Sequence, residues 1–118
     1  MSGLIHRNRR ELLTRREDVF HAWLDQISKD LGEQIFADTI PKTWEEVVHE
    51  IQKYLANTYQ ITAGEIPELL YRIDLSEAKL REDMEQGGWS DWYELLAHRI
   101  AEREAQKVIF RFQYSGKL

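Results

Sequence analysis

The stretch that most constrains this chain is Ser90 to Tyr114, SDWYELLAHRIAEREAQKVIFRFQY, the longest segment without Gly or Pro that still carries a clear apolar stripe. Trp92, Leu95, Leu96 and Ile100 recur at spacings of three and four, so they share one face of a 3.6-residue period. The spacing predicts a long helix. Ser90 is its expected N-cap, and Asp91 and Glu94 place negative charge where the helix dipole is positive. Gly87-Gly88 ends whatever comes before, and Gly116 ends the helix itself. A helix of this length needs other amphipathic segments to cover it, and the rest of the chain supplies them.

Leu4, Ile5, Leu12 and Leu13 fall on roughly the same helical stripe as Phe20, Trp23, Leu24, Ile27 and Leu31. The preferred expectation is therefore one continuous helix from about residue 4 to 31, closed by Gly32. The alternative starts a new helix at Thr14, which forms a capping box with Glu17. Residues 35–41 read as a linker, and Thr43 opens the next helix with a second capping box to Glu46. There Trp44, Val47, Val48, Ile51, Tyr54 and Leu55 form the stripe, with Glu45, Glu46, His49 and Lys53 opposite. Tyr59 to Thr62 has the composition of a short strand but needs a partner. Pro67 sets the start of a short helix buried through Ile66, Leu69, Leu70 and Ile73. Asp74 or Ser76 caps another that runs to about Gln86, with Leu80 and Met84 inward.

From Val108 the pattern KVIFRFQY alternates, with Phe110, Phe112 and Tyr114 on one side of a strand. Read as a helix, the same residues are apolar nearly all round. Helix is preferred, because Glu102 to Lys107 favours it strongly and the weak stretch at Tyr59 is the sole strand partner in the sequence. In either conformation Val108, Ile109, Phe110, Phe112 and Tyr114 offer more apolar surface than one small core needs. They are the candidate interface, and a homodimer is the expected use of it.

A chain of 118 residues, 42% of them hydrophobic, holds one core and not two, so residues 1–118 are expected to form a single all-α domain. Its architecture is a bundle of four or five helices around the C-terminal one, with the last residues extended if the strand alternative holds. No cysteine is present, which excludes thiolate chemistry and fits a reducing, cytoplasmic compartment. The apolar runs are a few residues long, so neither a membrane span nor a secretory signal is expected. The net charge of −5 is uneven: residues 1–16 carry five arginines against Glu11, a net +4, which leaves −9 on the other 102 residues. An acidic body with a basic arm at 1–16 argues against nucleic acid as the partner, since phosphate neutralisation needs a basic face on the folded unit.

Three constellations are candidates for chemistry. Residues 69–84 echo the hydrophobic spacing of a helix-turn-helix, with Ser76 capping the reading helix. They depart from it where Leu70 replaces a small residue, Asp74 the turn glycine and Asp83 an apolar position. Glu77, Glu82, Asp83 and Glu85 outnumber Lys79 and Arg81 on that helix, which repels phosphates, so a DNA-binding regulator using this motif and the basic arm is the alternative function. For metal, Glu46 and His49 form one Glu-x-x-His, and Glu94, His98 and Glu102 line a helix face at steps of four. Both sets lie away from the apolar stripes and read as solvated, so a helical metal enzyme is the least favoured reading and no cofactor is expected. The third is a row of cations, Arg99, Arg103 and Lys107, bordering the stripe of the long helix. It is either an anion pocket or, preferably, a set of ion pairs to a neighbouring helix, with Glu68 or Asp74 as carboxylate donors. No Gly-x-Ser-x-Gly or phosphate loop occurs, so no enzyme is expected.

The segments LLYRIDLSEAKLRE, residues 69–82, and HRIAEREAQKVIFR, residues 98–111, resemble a group of small bacterial all-helical proteins of no known activity. The resemblance covers about a quarter of the chain. It implies a bacterial cytoplasmic protein and assigns no functional residue. The leading functional expectation is a non-catalytic interaction module that self-associates, with an unknown protein partner as the other use of its surface.

Overall fold

Burial of the last helix along most of its length determines the architecture. The computed structural model describes residues 10–13, 15–61 and 68–117. These form α1 (Glu17–Leu31), α2 (Trp44–Thr58), α3 (Leu69–Ile73), α4 (Glu77–Gln86) and α5 (Trp92–Tyr114), with residues 10–13 also helical. The fold is all-α, and α5 touches each of the other four helices. Leu95, Leu96, Ala97, Ile100, Ala101, Glu104, Ala105, Val108 and Ile109 of α5 are buried. Their pairing at intervals of four makes a stripe broad enough for α1 and α2 to pack on together.

α1 is not continuous with the helical residues before it. Arg16 is extended, with φ −104° and ψ 105°, and its side chain makes no cap hydrogen bond. The expected helix from residue 4 to 31 is thus interrupted at Arg16 in its described part, and residues 1–9 and Thr14 lie outside the described residues. Arg16 pairs instead with Asp18 at 2.8 Å, and the Asp18 carboxylate accepts from the Val19 N–H at 3.0 Å. That bond satisfies one of the orphan donors of the first turn. At the other end, the Tyr54 hydroxyl of α2 donates to the Leu31 carbonyl at 2.8 Å. A Cβ at Gly32 would stand 3.0 Å from that same hydroxyl oxygen, so the close approach of α2 favours glycine here.

α2 starts where the sequence predicts. Thr43 Oγ1 accepts from the Glu46 N–H at 3.1 Å, while the Glu46 carboxylate reaches past the N-cap to the Lys42 N–H, also at 3.1 Å. α5 repeats this arrangement one residue later than expected: Asp91 is the N-cap, accepting from the Glu94 N–H at 2.9 Å, and Glu94 accepts from the Ser90 N–H at 3.0 Å. Carboxylate outcompetes hydroxyl as the cap because an ionised acceptor makes the stronger bond at a dipole's positive end. Gly116, at φ 73°, closes α5, and Lys117 donates its N–H back to the Phe112 carbonyl at 2.9 Å.

The core is aromatic where α1, α2 and α5 meet. Trp23 stacks on Trp44 at 4.8 Å between ring centroids, meets Phe20 edge-on at 5.6 Å, and donates its indole N–H to the Ala101 carbonyl at 3.1 Å. No strand forms among the described residues. Residues 108–114 complete α5, which removes the extended alternative. Tyr59 and Ile61 spend their backbone groups on Tyr93, whose hydroxyl donates to the Tyr59 carbonyl at 2.7 Å and accepts from the Ile61 N–H at 3.0 Å. Thr62 and residues 63–67, including Pro67 and Ile66, lie outside the described residues.

Candidate functional site

The cation row of α5 is engaged along its whole length. Arg99 bonds the Asp83 carboxylate at 3.1 Å and the Glu102 carboxylate at 2.7 Å, with its guanidinium carbon 5.2 Å from the centre of the Trp89 ring. Arg103 reaches Asp74 at 3.0 Å and the Gln106 side-chain carbonyl at 2.8 Å. Lys107 reaches Asp30 at 3.1 Å. Each member therefore faces a carboxylate from another helix or turn. The partner of Arg103 is Asp74, one of the two expected carboxylates, yet the Asp74 side chain is 81% exposed, so that pair is mostly solvated.

The group that sequence reasoning missed lies under this row. Glu104 is 0% exposed, and as an ionised carboxylate it has no hydrogen-bond donor. The Lys107 ammonium stands with Nζ 3.5 Å from its Oε2, and the carboxyl of Asp30, at the end of α1, lies close enough to couple with it. Burial, reinforced by the Asp30 carboxylate beside it, pushes the Glu104 carboxyl up to about 8. Asp30 is held below its usual value despite burial, because the Gln26 amide and Lys107 bond to it and the Glu104 carboxyl lies beside it. A signal for Glu104 was present: it stands four residues from both Ile100 and Val108, an acid on the apolar stripe.

Residues 69–86 do form two helices around a tight turn. Asp74 takes the left-handed conformation, φ 68° and ψ 54°, that a turn glycine would take, and Ser76 caps α4 by accepting from the Lys79 N–H at 3.2 Å. Asp83 is buried and faces Arg99. The exposed surface of α4 carries Glu77, Glu82 and Glu85. Phosphates meet that surface unfavourably.

The two metal candidates are dispersed. Glu46 and His49 are exposed on α2, with Glu46 committed to its cap. Glu94 caps α5, Glu102 pairs with Arg99, and His98 is half-buried against Trp89 at 5.2 Å between rings, not solvated as expected. That burial lowers the His98 pKa. Among the described residues no group of three or more His, Asp or Glu is placed to hold a metal ion.

The candidate interface splits in two. Val108 and Ile109 are buried in the chain's own core, because they continue the stripe of Glu104 and Ala105 four residues on. They are unavailable to a partner. Phe112 is half-buried, with the Lys117 ammonium 5.7 Å from its ring centre. Phe110 is 42% exposed and Tyr114 92% exposed, one turn apart on the outer face, and with Gln113 they line an open hollow of about 370 Å³. No described helix is long and apolar enough to cross a membrane. No family model matches the chain, and comparisons with curated proteins and with solved structures find no match either.

Proposed function

We propose that this chain is a non-catalytic interaction module that self-associates through the outer face at the end of α5. The observation that carries the reading is the exposure of Phe110 and Tyr114 at i and i+4 in a helix whose inner face is otherwise filled. Burying roughly 100 Å² from each ring, at about 25 cal/mol per Å², contributes on the order of 5 kcal/mol of gross hydrophobic free energy per chain, part of it lost to association entropy. A two-fold axis lets one such patch cover itself, which makes a dimer the economical assembly. A cytoplasmic setting goes with this reading, since a chain without cysteine depends on no oxidising compartment, and the resemblance of residues 69–82 and 98–111 implies a bacterial one. Sedimentation velocity at tens of micromolar tests it. The parent should run as a dimer, and Phe110→Asp with Tyr114→Asp should run as a folded monomer with unchanged helix content. A parent that is monomeric at that concentration refutes the reading.

A further inference from the structure

Complete burial of an acid where two helices meet is tolerated only if its charge is balanced or removed. Around Glu104, balance is incomplete. One ammonium, Lys107 Nζ, stands between two carboxyl groups, 3.1 Å from Asp30 and 3.5 Å from Glu104. If both acids were ionised, the junction would hold a net negative charge in a low dielectric. The donors around the pair are also unevenly shared. Asp30 receives Lys107 and the Gln26 amide, the latter at 3.0 Å, whereas Glu104 has no hydrogen-bond donor at all. A proton on Glu104 resolves both problems, because the neutral acid can itself donate to the Asp30 carboxylate beside it.

We propose that Asp30 and Glu104 form a proton-binding site that holds one proton at neutral pH, seated on Glu104 and shared with Asp30, and that its loss in alkali unlatches the end of α1 from the middle of α5. The surroundings are consistent with a single titrating centre. From α1 the pair is faced by Gln26, from α5 by Lys107, and from α3 by Arg72, which donates to the Asp30 backbone carbonyl at 3.3 Å. On α5, Arg103 turns to Asp74 and Arg111 to the Gln26 side-chain carbonyl at 2.8 Å. α2 contributes the buried side chains Trp44, Val47, Val48, Ile51 and Leu55 to the core and, next to Asp30, the Tyr54 hydroxyl that donates to the Leu31 carbonyl at 2.8 Å. The raised value of Glu104, about 8, fits the same arrangement.

Carboxyl-carbon NMR of the full chain, labelled at Asp and Glu and titrated from pH 5 to 9.5, tests the site. Glu104 should show the shift of a protonated acid at pH 7 and move with a midpoint near 8, with a smaller step at Asp30 in the same range. Lys107→Met should raise that midpoint and Asp30→Asn lower it. For the latch, hydrogen exchange at the Ser28 to Leu31 amides, corrected for the intrinsic rate, should be at least about tenfold less protected in the parent than in Glu104→Gln at pH 9, and equal at pH 6. A Glu104 carbon that is already ionised at pH 6 overturns the proton site. Equal protection of parent and variant at pH 9 overturns the latch. If Glu104→Gln does not fold, protection in the parent followed through the Glu104 midpoint decides the latch by whether it drops there.

Discussion

The middle of α5 and its last turns break the same rule in opposite directions. In the middle, Glu104 is an acid fully inside the protein, while at the end Phe110 and Tyr114 are aromatics outside it. Both departures arise on one helix with one stripe, so they cannot be blamed on a local failure of the helical period. The interior departure is met within the chain, by Asp30, Lys107 and a proton. The exterior one leaves both rings facing out of the chain, and the proposed second copy would cover them. A buried polar group therefore points to chemistry inside the fold, and an exposed aromatic pair points to something beyond it.

The first way to break the comparison is to remove the cation between the two acids. Lys107→Met leaves Asp30 and Glu104 facing each other without it and should cost about 2–4 kcal/mol in denaturant unfolding at pH 7. A loss below about 0.5 kcal/mol would mean that the lysine is mere surface decoration. The pH dependence comes next, and its sign follows from the direction of the shift. Glu104 binds its proton more tightly folded than unfolded, from an ordinary value of 4.5 up to about 8. Its contribution to stability is complete below pH 4.5 and is lost as pH rises to 8. At about 1.4 kcal/mol per unit, the parent should lose on the order of 5 kcal/mol relative to Glu104→Gln across that window. Parallel stability curves for the two proteins would contradict the inward half of the comparison. Asp30, lowered instead, adds stability that is lost only as pH falls through the acid range below this window.

Arg103→Ala should have the smallest effect of the charge changes, under about 1 kcal/mol, because its partner Asp74 is mostly solvated. The fully buried acid is Glu104, on the next position of the chain, and Arg103 does not pair with it. A chemical-denaturation midpoint for Arg103→Ala close to that of Lys107→Met would erase the distinction between the outer row and the inner pair.

What was legible beforehand follows the physics of local signals. α2 could be read because Thr43, Glu46 and the stripe from Trp44 to Leu55 all agree, and both cap and period are local. The break at Arg16 has only the capping-box alternative from Thr14 to Glu17 to signal it, since Leu12 and Leu13 keep phase with Phe20 and periodicity is blind to one extended residue. The residue types at 108–114 show an apolar segment but do not separate Val108 and Ile109, which are buried, from Phe110 and Tyr114, which are exposed. Only a fixed helical phase sends the first two inward and the second two outward. Glu104 was passed over because Glu102 to Lys107 looks like an ordinary charged helix. Its position on the stripe was visible, but the carboxylate beside it comes from Asp30, which is far away in sequence.

The outward half of the comparison is tested most directly by a filtered NOE experiment on an equimolar mixture of labelled and unlabelled chains. Contacts between chains should appear at the rings of Phe110 and Tyr114 and be absent at the methyl groups of Val108 and Ile109. A spectrum without intermolecular contacts at either ring, or with them at the two buried aliphatic residues, would contradict self-association through this face.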